Sequence, residues 1–123
     1  MLADFGLACF CHAGCRSLLS TPQYRAPEIW YQKDMSRKQT CYDAKVDLWS
    51  AGVTLFAMLA GEMPFDDEDL ERQICAGDYC FDFSYWKKPL LGLHHVISCL
   101  LILDPALRFC SLDARAATLA TLL

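Results

Sequence analysis

Basic residues are few and scattered. The chain of 123 residues carries 11 lysines and arginines against 15 acidic residues, a formal net charge of −4, and its densest basic group is the pair Lys87-Lys88. Nucleic acids and anionic membranes are recognised through clustered positive charge, so neither is an expected partner. Long hydrophobic runs are missing too: the longest, Leu48 to Gly61, is too short to span a bilayer. Met1 is followed by neither a basic patch nor an extended apolar stretch of the signal-peptide kind, so the expected location is intracellular, cytoplasmic or nuclear. Strand patterning is equally scarce. Apart from a short candidate near Met1 to Asp4, no run alternates apolar with polar residues, and the pattern predicts a mainly α fold.

What is abundant is apolar material. At 54% hydrophobic and 21% charged the composition argues against disorder and for a single core, with some apolar surface suited to a neighbour. Eight cysteines would suggest disulfides in a small secreted protein, but without an export signal they read as reduced thiols. Cys75, Cys99 and Cys110 lie in apolar periodic stretches and fit as small hydrophobes.

Residues 9 to 42 lack sustained periodicity and read mostly as loop, with a short helix near Pro27, where proline suits a first helical position. Asp43 or Asp47 opens a helix running to about Ala60, with Gly61 placed to end it. Its apolar residues, from Val46 through Trp49, Val53 and Phe56 to Leu59, fall on every face, which predicts a core axis wrapped on all sides. Asp66, Asp67, Glu68 and Asp69 precede Leu70 and Ile74, and Gly77 follows. This reads as a short surface helix with a dipole-matched acidic start, in preference to a docking patch for basic substrates. Tyr79 to Trp86 is irregular, Leu90 to Leu103 reads as a second buried helix stopped by Asp104-Pro105, and a last helix begins at about Ser111.

Two strings organise the first thirty residues: Asp4-Phe5-Gly6, and Thr21-Pro22-Gln23-Tyr24-Arg25-Ala26-Pro27-Glu28. Further strings follow in order: Tyr42-Asp43-x-Lys45-Val46-Asp47-x-Trp49-Ser50-x-Gly52-Val53, Gly61-x-x-Pro64-Phe65, Ile74-x-x-Gly77-x-Tyr79-x-Phe81 and Leu101-x-x-Asp104-Pro105-x-x-Arg108. The set resembles the C-terminal lobe of a eukaryotic serine/threonine protein kinase, from its Asp-Phe-Gly motif onward, closest to the calmodulin-dependent and checkpoint branch. Ser20 stands where that family usually has glycine, and the His-Pro-Trp ending common in the branch is not present.

The resemblance implies an incomplete kinase fold with no N-terminal β lobe, in which residues 1–30 form the activation segment and residues 43–123 the helical core. Asp4 would hold the magnesium that bridges nucleotide phosphates, Phe5 would pack behind it and Gly6 would allow the turn between them. Ser17, Ser20, Thr21, Pro22 and Tyr24 belong to the activation segment and substrate platform, with Ser17 and Ser20 as candidate phosphorylation sites beside Arg16. Glu28 would pair with Arg108 in a structural tie. Asp47 and Trp49 would serve as scaffold residues at the start of the central helix.

A separate constellation, Cys9, Cys11, His12 and Cys15, offers four ligands of the type zinc accepts. All four fall within one tight stretch, unlike separated two-residue knuckles, so a thiol-rich loop is preferred to a zinc site.

The activity implied is transfer of the γ-phosphoryl group of ATP to a protein serine or threonine, with ATP and magnesium as cofactors and a protein substrate or partner kinase as the other party. The sequence contains no His-Arg-Asp-type catalytic loop, and so no catalytic base, and no lysine on an ATP-contacting strand. The chain alone is therefore expected to be inactive and to bind neither cofactor tightly. The alternative is a non-catalytic, pseudokinase-like binding module.

Overall fold

Proline and glycine punctuate the helices much as their backbone preferences require. The computed structural model describes residues 6, 8, 20–31, 42–79 and 91–122. It is mainly α, and among the described residues the regular elements are all helical. A 3-10 turn, Pro22–Tyr24, leads into α1, Pro27–Trp30, which has proline in its first turn. Then come α2, Lys45–Ala60, and α3, Leu70–Ala76, followed by α4, Leu91–Leu100, and α5, Ser111–Leu122.

α2 starts where the Asp43 carboxylate accepts the Lys45 N–H at 2.8 Å, and it ends at Gly61, whose φ of 80° lets its N–H close on the Ala57 carbonyl at 2.9 Å. Its buried residues are Trp49, Gly52, Val53 and Phe56, a single stripe at helical spacing. The helix is therefore not wrapped on all sides. Met58 is 76% exposed, and Leu48, Leu55 and Leu59 are only half-buried. Against the buried stripe lies α4, and the closest approach is at Gly52, where a Cβ would fall 2.9 Å from both Leu100 Cβ and Leu101 Cδ2. Leu100 Cβ is fixed to its backbone and cannot swing away, so the helices would have to part. Gly52→Ala is therefore expected to lower the unfolding free energy by about 1–3 kcal/mol through overpacking, despite alanine's better helix propensity. A rise in the urea midpoint of this variant would refute the close-packing account.

The acidic residues 66–69 lie ahead of α3 and outside its first turn, which holds only Glu71. Gln73 pins that loop from the helix, accepting the Asp66 N–H at 2.9 Å and donating to the Glu68 carbonyl at 2.8 Å. Asp69 takes a left-handed backbone at φ 57° to enter the helix, a conformation an aspartate tolerates better than most residues.

The predicted helix from Leu90 to Leu103 is shorter in the structure, because α4 stops at Leu100. The three residues after it leave the helical path so that the carbonyls of Ile102 and Leu103 can meet a buried arginine, described below. Asp104 then turns the chain, its carboxylate accepting the Ala106 N–H at 2.8 Å. Ahead of α5 the Asp113 carboxylate reaches back to the Cys110 N–H at 2.9 Å, as in a capping box. Hydrogen bonds from the Cys110 side chain and backbone hold its carboxyl below the usual range.

The core joins Ala26, Ile29 and Trp30 to Trp49, Val53 and Phe56, with Phe65, Ile74, Ile97 and Leu101 completing it. Its aromatic centre is ordered: Trp49 stacks on Phe65 at 5.9 Å between ring centres, and Tyr79 meets Phe65 and Phe56 edge-on at 5.9 and 6.3 Å. Cys75, Cys99 and Cys110 are free thiols of intermediate burial. Burial pushes the Cys75 and Cys99 thiols up, which keeps them protonated and weakly reactive.

Candidate functional site

Among the described residues the segment 20–31 is held to the helices by an ion pair, a shared hydroxyl, the Tyr31 hydroxyl on the Cys75 carbonyl and buried rings. Ala26 and Pro27 are buried, which draws the segment into the core and brings Glu28 onto the side of Arg108. Arg108 is 1% exposed, and its guanidinium donates to both Glu28 carboxylate oxygens, at 2.8 and 2.9 Å. The remaining donors are used as well: Nη1 to the Lys45 carbonyl at 2.8 Å, Nε to the Ile102 carbonyl at 2.9 Å and Nη2 to the Leu103 carbonyl at 3.3 Å. With every N–H of the fork engaged, the charge is buried at the least cost the geometry allows. Lys45 closes the circuit by donating from Nζ to the Arg108 carbonyl. The guanidinium carbon also lies 5.2 Å from the Trp49 ring centre, within cation–π range.

A second tie runs from α2. The Ser50 hydroxyl lies 2.8 Å from the Tyr24 carbonyl and 3.2 Å from its own helix's Val46 carbonyl, so one proton is shared between the turn and the helix. The result is a turn, Thr21 to Arg25, fixed from below by the helix. Thr21 and Pro22 are exposed, and the Tyr24 N–H closes on the Thr21 carbonyl at 3.1 Å.

Beside this turn lies an open cleft of about 510 Å³, lined by Gln23 and, across from it, by Glu62, Asp66, Asp67 and Asp78 over the rings of Phe65 and Tyr79. Gln23 spans the cleft's edge, its amide donating to Asp67 at 3.0 Å. Burial pushes the Tyr79 hydroxyl up, so it stays protonated and can donate.

The sequence-derived residues fall into three groups. Glu28, Arg108 and Trp49 come together in one buried knot, with Tyr24, Thr21 and Pro22 on the turn it supports. Asp47 does not join them: it is exposed in the first turn of α2, and its carboxylate has no hydrogen-bond partner among the described residues. Asp4, Phe5, Arg16 and Ser17, with the candidate zinc set Cys9, Cys11, His12 and Cys15, lie outside the described residues, and Gly6 is exposed. Among the described residues no group of three or more His, Cys, Asp or Glu side chains could hold a metal ion, although the Cys99 thiol lies 3.7 Å from the His95 ring. Nor is any described helix long and apolar enough to cross a membrane.

Gln73 was not marked by sequence reasoning, and Arg25 and Lys45, although inside quoted motifs, were given no individual role, because each acts through a backbone carbonyl, a serine or a loop whose position depends on the assembled chain. Ser50 sat inside a quoted motif, but its partner, the Tyr24 carbonyl, could not be named from spacing.

The order of the motifs and the Glu28–Arg108 tie can be set against known families. A model of the protein kinase domain matches residues 1–118. The chain belongs to that family. It is 41% identical over 114 residues to the DNA damage response protein kinase DUN1 of Saccharomyces cerevisiae, an alignment covering 88% of this chain and 21% of that protein. It is 36% identical over 117 residues to the serine/threonine-protein kinase CG17528 of Drosophila melanogaster, covering 91% of this chain and 15% of that one. To the serine/threonine-protein kinase zyg-8 of Caenorhabditis elegans it is 35% identical over 116 residues, covering 88% and 14%. The chain thus spans about a fifth or less of the length of these relatives.

Protein kinase domains use ATP and magnesium and act on protein substrates. Among the described residues there is no acidic cluster that fits the metal, and Asp4 lies outside them.

Proposed function

We propose that these residues are the helical C-terminal lobe of a serine/threonine protein kinase domain, with residues 1–30 as its activation segment and residues 43–123 as its helical core. The lobe would present the hydroxyl-bearing peptide to the phosphoryl donor. The observation that carries this reading is the turn Thr21 to Arg25: it is locked from within by the Ser50 hydroxyl and, through α1, by Glu28 on Arg108, while Thr21 and Pro22 stay exposed. A rigid edge next to an acidic cleft suits an extended peptide carrying basic residues, since such a ligand finds opposite charge on the cleft wall without having to order the turn. Gln23 and Asp67 are the residues such a peptide would pass first. In the intact domain Asp4 is the magnesium ligand, with Phe5 and Gly6 shaping its approach; the resemblance alone supports these roles.

Positioning and charge stabilisation provide nearly all of the catalysis in phosphoryl transfer, so the groups that grip ATP and orient the hydroxyl cannot be spared. A polypeptide of these 123 residues contains neither a catalytic-loop aspartate nor an ATP-gripping lysine, and it should transfer no phosphate by itself. The deciding experiment places the chain behind the N-terminal lobe and catalytic loop of the related yeast kinase and measures radiolabelled phosphate transfer to a basic serine peptide. The chimera should be active, Asp4→Ala should reduce it to background, and the unfused chain should be silent. A folded but inert chimera would reject the catalytic reading in favour of a binding module. Turnover by the unfused chain would contradict the inactivity stated here.

A further inference from the structure

The helix α4, which packs against α2, buries Val96, Ile97 and Leu100. On its outward side stand His95, exposed, and Cys99, half-buried, one helical turn apart. The Cys99 sulfur lies 3.7 Å from the His95 Nε2 and 3.9 Å from its Nδ1. The chain that follows α4 braces the pair from both ends. The Phe109 N–H donates to the Cys99 carbonyl at 3.1 Å, and the Phe109 ring meets the His95 imidazole edge-on, with 6.3 Å between ring centres and 85° between planes. Thiol and imidazole are thus already assembled side by side.

A tetrahedral zinc ion bonds a thiolate sulfur at about 2.3 Å and an imidazole nitrogen at about 2.0–2.1 Å, which sets the two ligand atoms about 3.6 Å apart. The 3.7 Å separation matches that span. A spacing of four residues on a helix is also the one by which the two histidines of an H-E-x-x-H motif grip a single metal. Nitrogen and sulfur donors together favour borderline and soft ions over magnesium and calcium.

We propose that His95 and Cys99 form a two-point chelate for a borderline or soft transition-metal ion, zinc being the natural occupant, with water in the remaining positions. On binding, the bond from the Cys99 sulfur to the metal forms as the S–H bond breaks, the thiol proton passes to buffer, the imidazole nitrogen donates its lone pair, and metal-bound waters leave. No electron is transferred. Two protein ligands are fewer than the three or four of catalytic and structural zinc centres, so this is an exchangeable clip across one turn of α4 and not a metal on which the fold depends. The chelate rests on α4 and Phe109 alone, and it stands or falls apart from the phosphotransfer reading.

The test alkylates the full chain with iodoacetamide and follows every cysteine separately by mass spectrometry, so that zinc taken up by Cys9, Cys11 and Cys15 is not mistaken for zinc on α4. Zinc should slow the modification of Cys99 several-fold, and a chelator should restore it. Cys75, a free thiol of the same burial class, should react at an unchanged rate, and magnesium should protect neither. His95→Gln, a change at an exposed position, should abolish the protection of Cys99. In urea the two ligands are no longer held one turn apart, and zinc should then slow Cys99 no more than Cys75. Equal protection of the two thiols in the native chain, no protection of either, or protection of Cys99 that survives His95→Gln or urea would overturn the chelate. The urea comparison needs no variant, so misfolding of a His95 substitution leaves the test intact.

Discussion

Glu28→Ala is expected to destabilise the chain by about 3–5 kcal/mol, the cost of leaving a buried charge without its partner. The Arg108 side chain is 0% exposed and that of Glu28 17%, so the stranded cation has no route to water, whereas the carboxylate has a partial one. Against the 5–15 kcal/mol of total stability common among single domains, such a loss is enough to populate the unfolded chain at room temperature. Urea unfolding followed by tryptophan fluorescence measures it. The double variant Glu28→Ala with Arg108→Met separates charge from packing. Removing both charges relieves the desolvation cost, but it also strips the acceptors on Lys45, Ile102 and Leu103 of their donor, so stability should recover only in part. A single variant within about 0.5 kcal/mol of the parent would show that the pair is ornamental.

Trp49→Ala should cost a comparable amount, about 3–5 kcal/mol, for a different reason. Trp49 is 0% exposed, stacks on Phe65 and lies against the Arg108 guanidinium, so its loss opens a void at the junction of α2, the residue 65 loop and the Glu28 anchor. A second variant sharpens the reading. The Trp49 Nε1 is buried with no hydrogen-bond partner among the described residues, so part of what the ring contributes is offset by an unsatisfied donor. Trp49→Phe keeps a stacking ring and removes that donor, and it should cost well under half of the alanine change. Equal losses for phenylalanine and alanine, read from denaturant midpoints, would mean that the stacking account is wrong.

Much of the architecture was legible because it depends on local rules. Pro27 at the start of α1, Gly61 and Gly77 in left-handed caps and the turn at Asp104 follow from backbone preferences that act within a few residues. The elements read less well were those whose surroundings set their limits. The apolar residues of α2 pointed to burial all round, yet only the stripe through Trp49, Gly52, Val53 and Phe56 is covered, because composition says what a face prefers and not what lies against it. The acidic residues 66–69 read as a helix start but form a loop, since Gln73 offers their backbone groups partners that the sequence pattern does not display.

The site divides along the same line. The resemblance to serine/threonine kinases paired Glu28 with Arg108 and placed Thr21, Pro22 and Tyr24 in one segment. The sequence by itself determined the mainly helical class and carried the motifs of the family, and through that resemblance the Glu28–Arg108 pair. Tertiary structure alone decided that α4 stops at Leu100, that Ser50 shares its proton with Tyr24 and that Arg25 clasps Ser20. The reason is physical: helix propensity and capping act over one or two turns of chain, whereas a buried guanidinium must satisfy all of its donors at once. It recruits carbonyls from wherever the folded chain brings them, and helix ends yield to supply them.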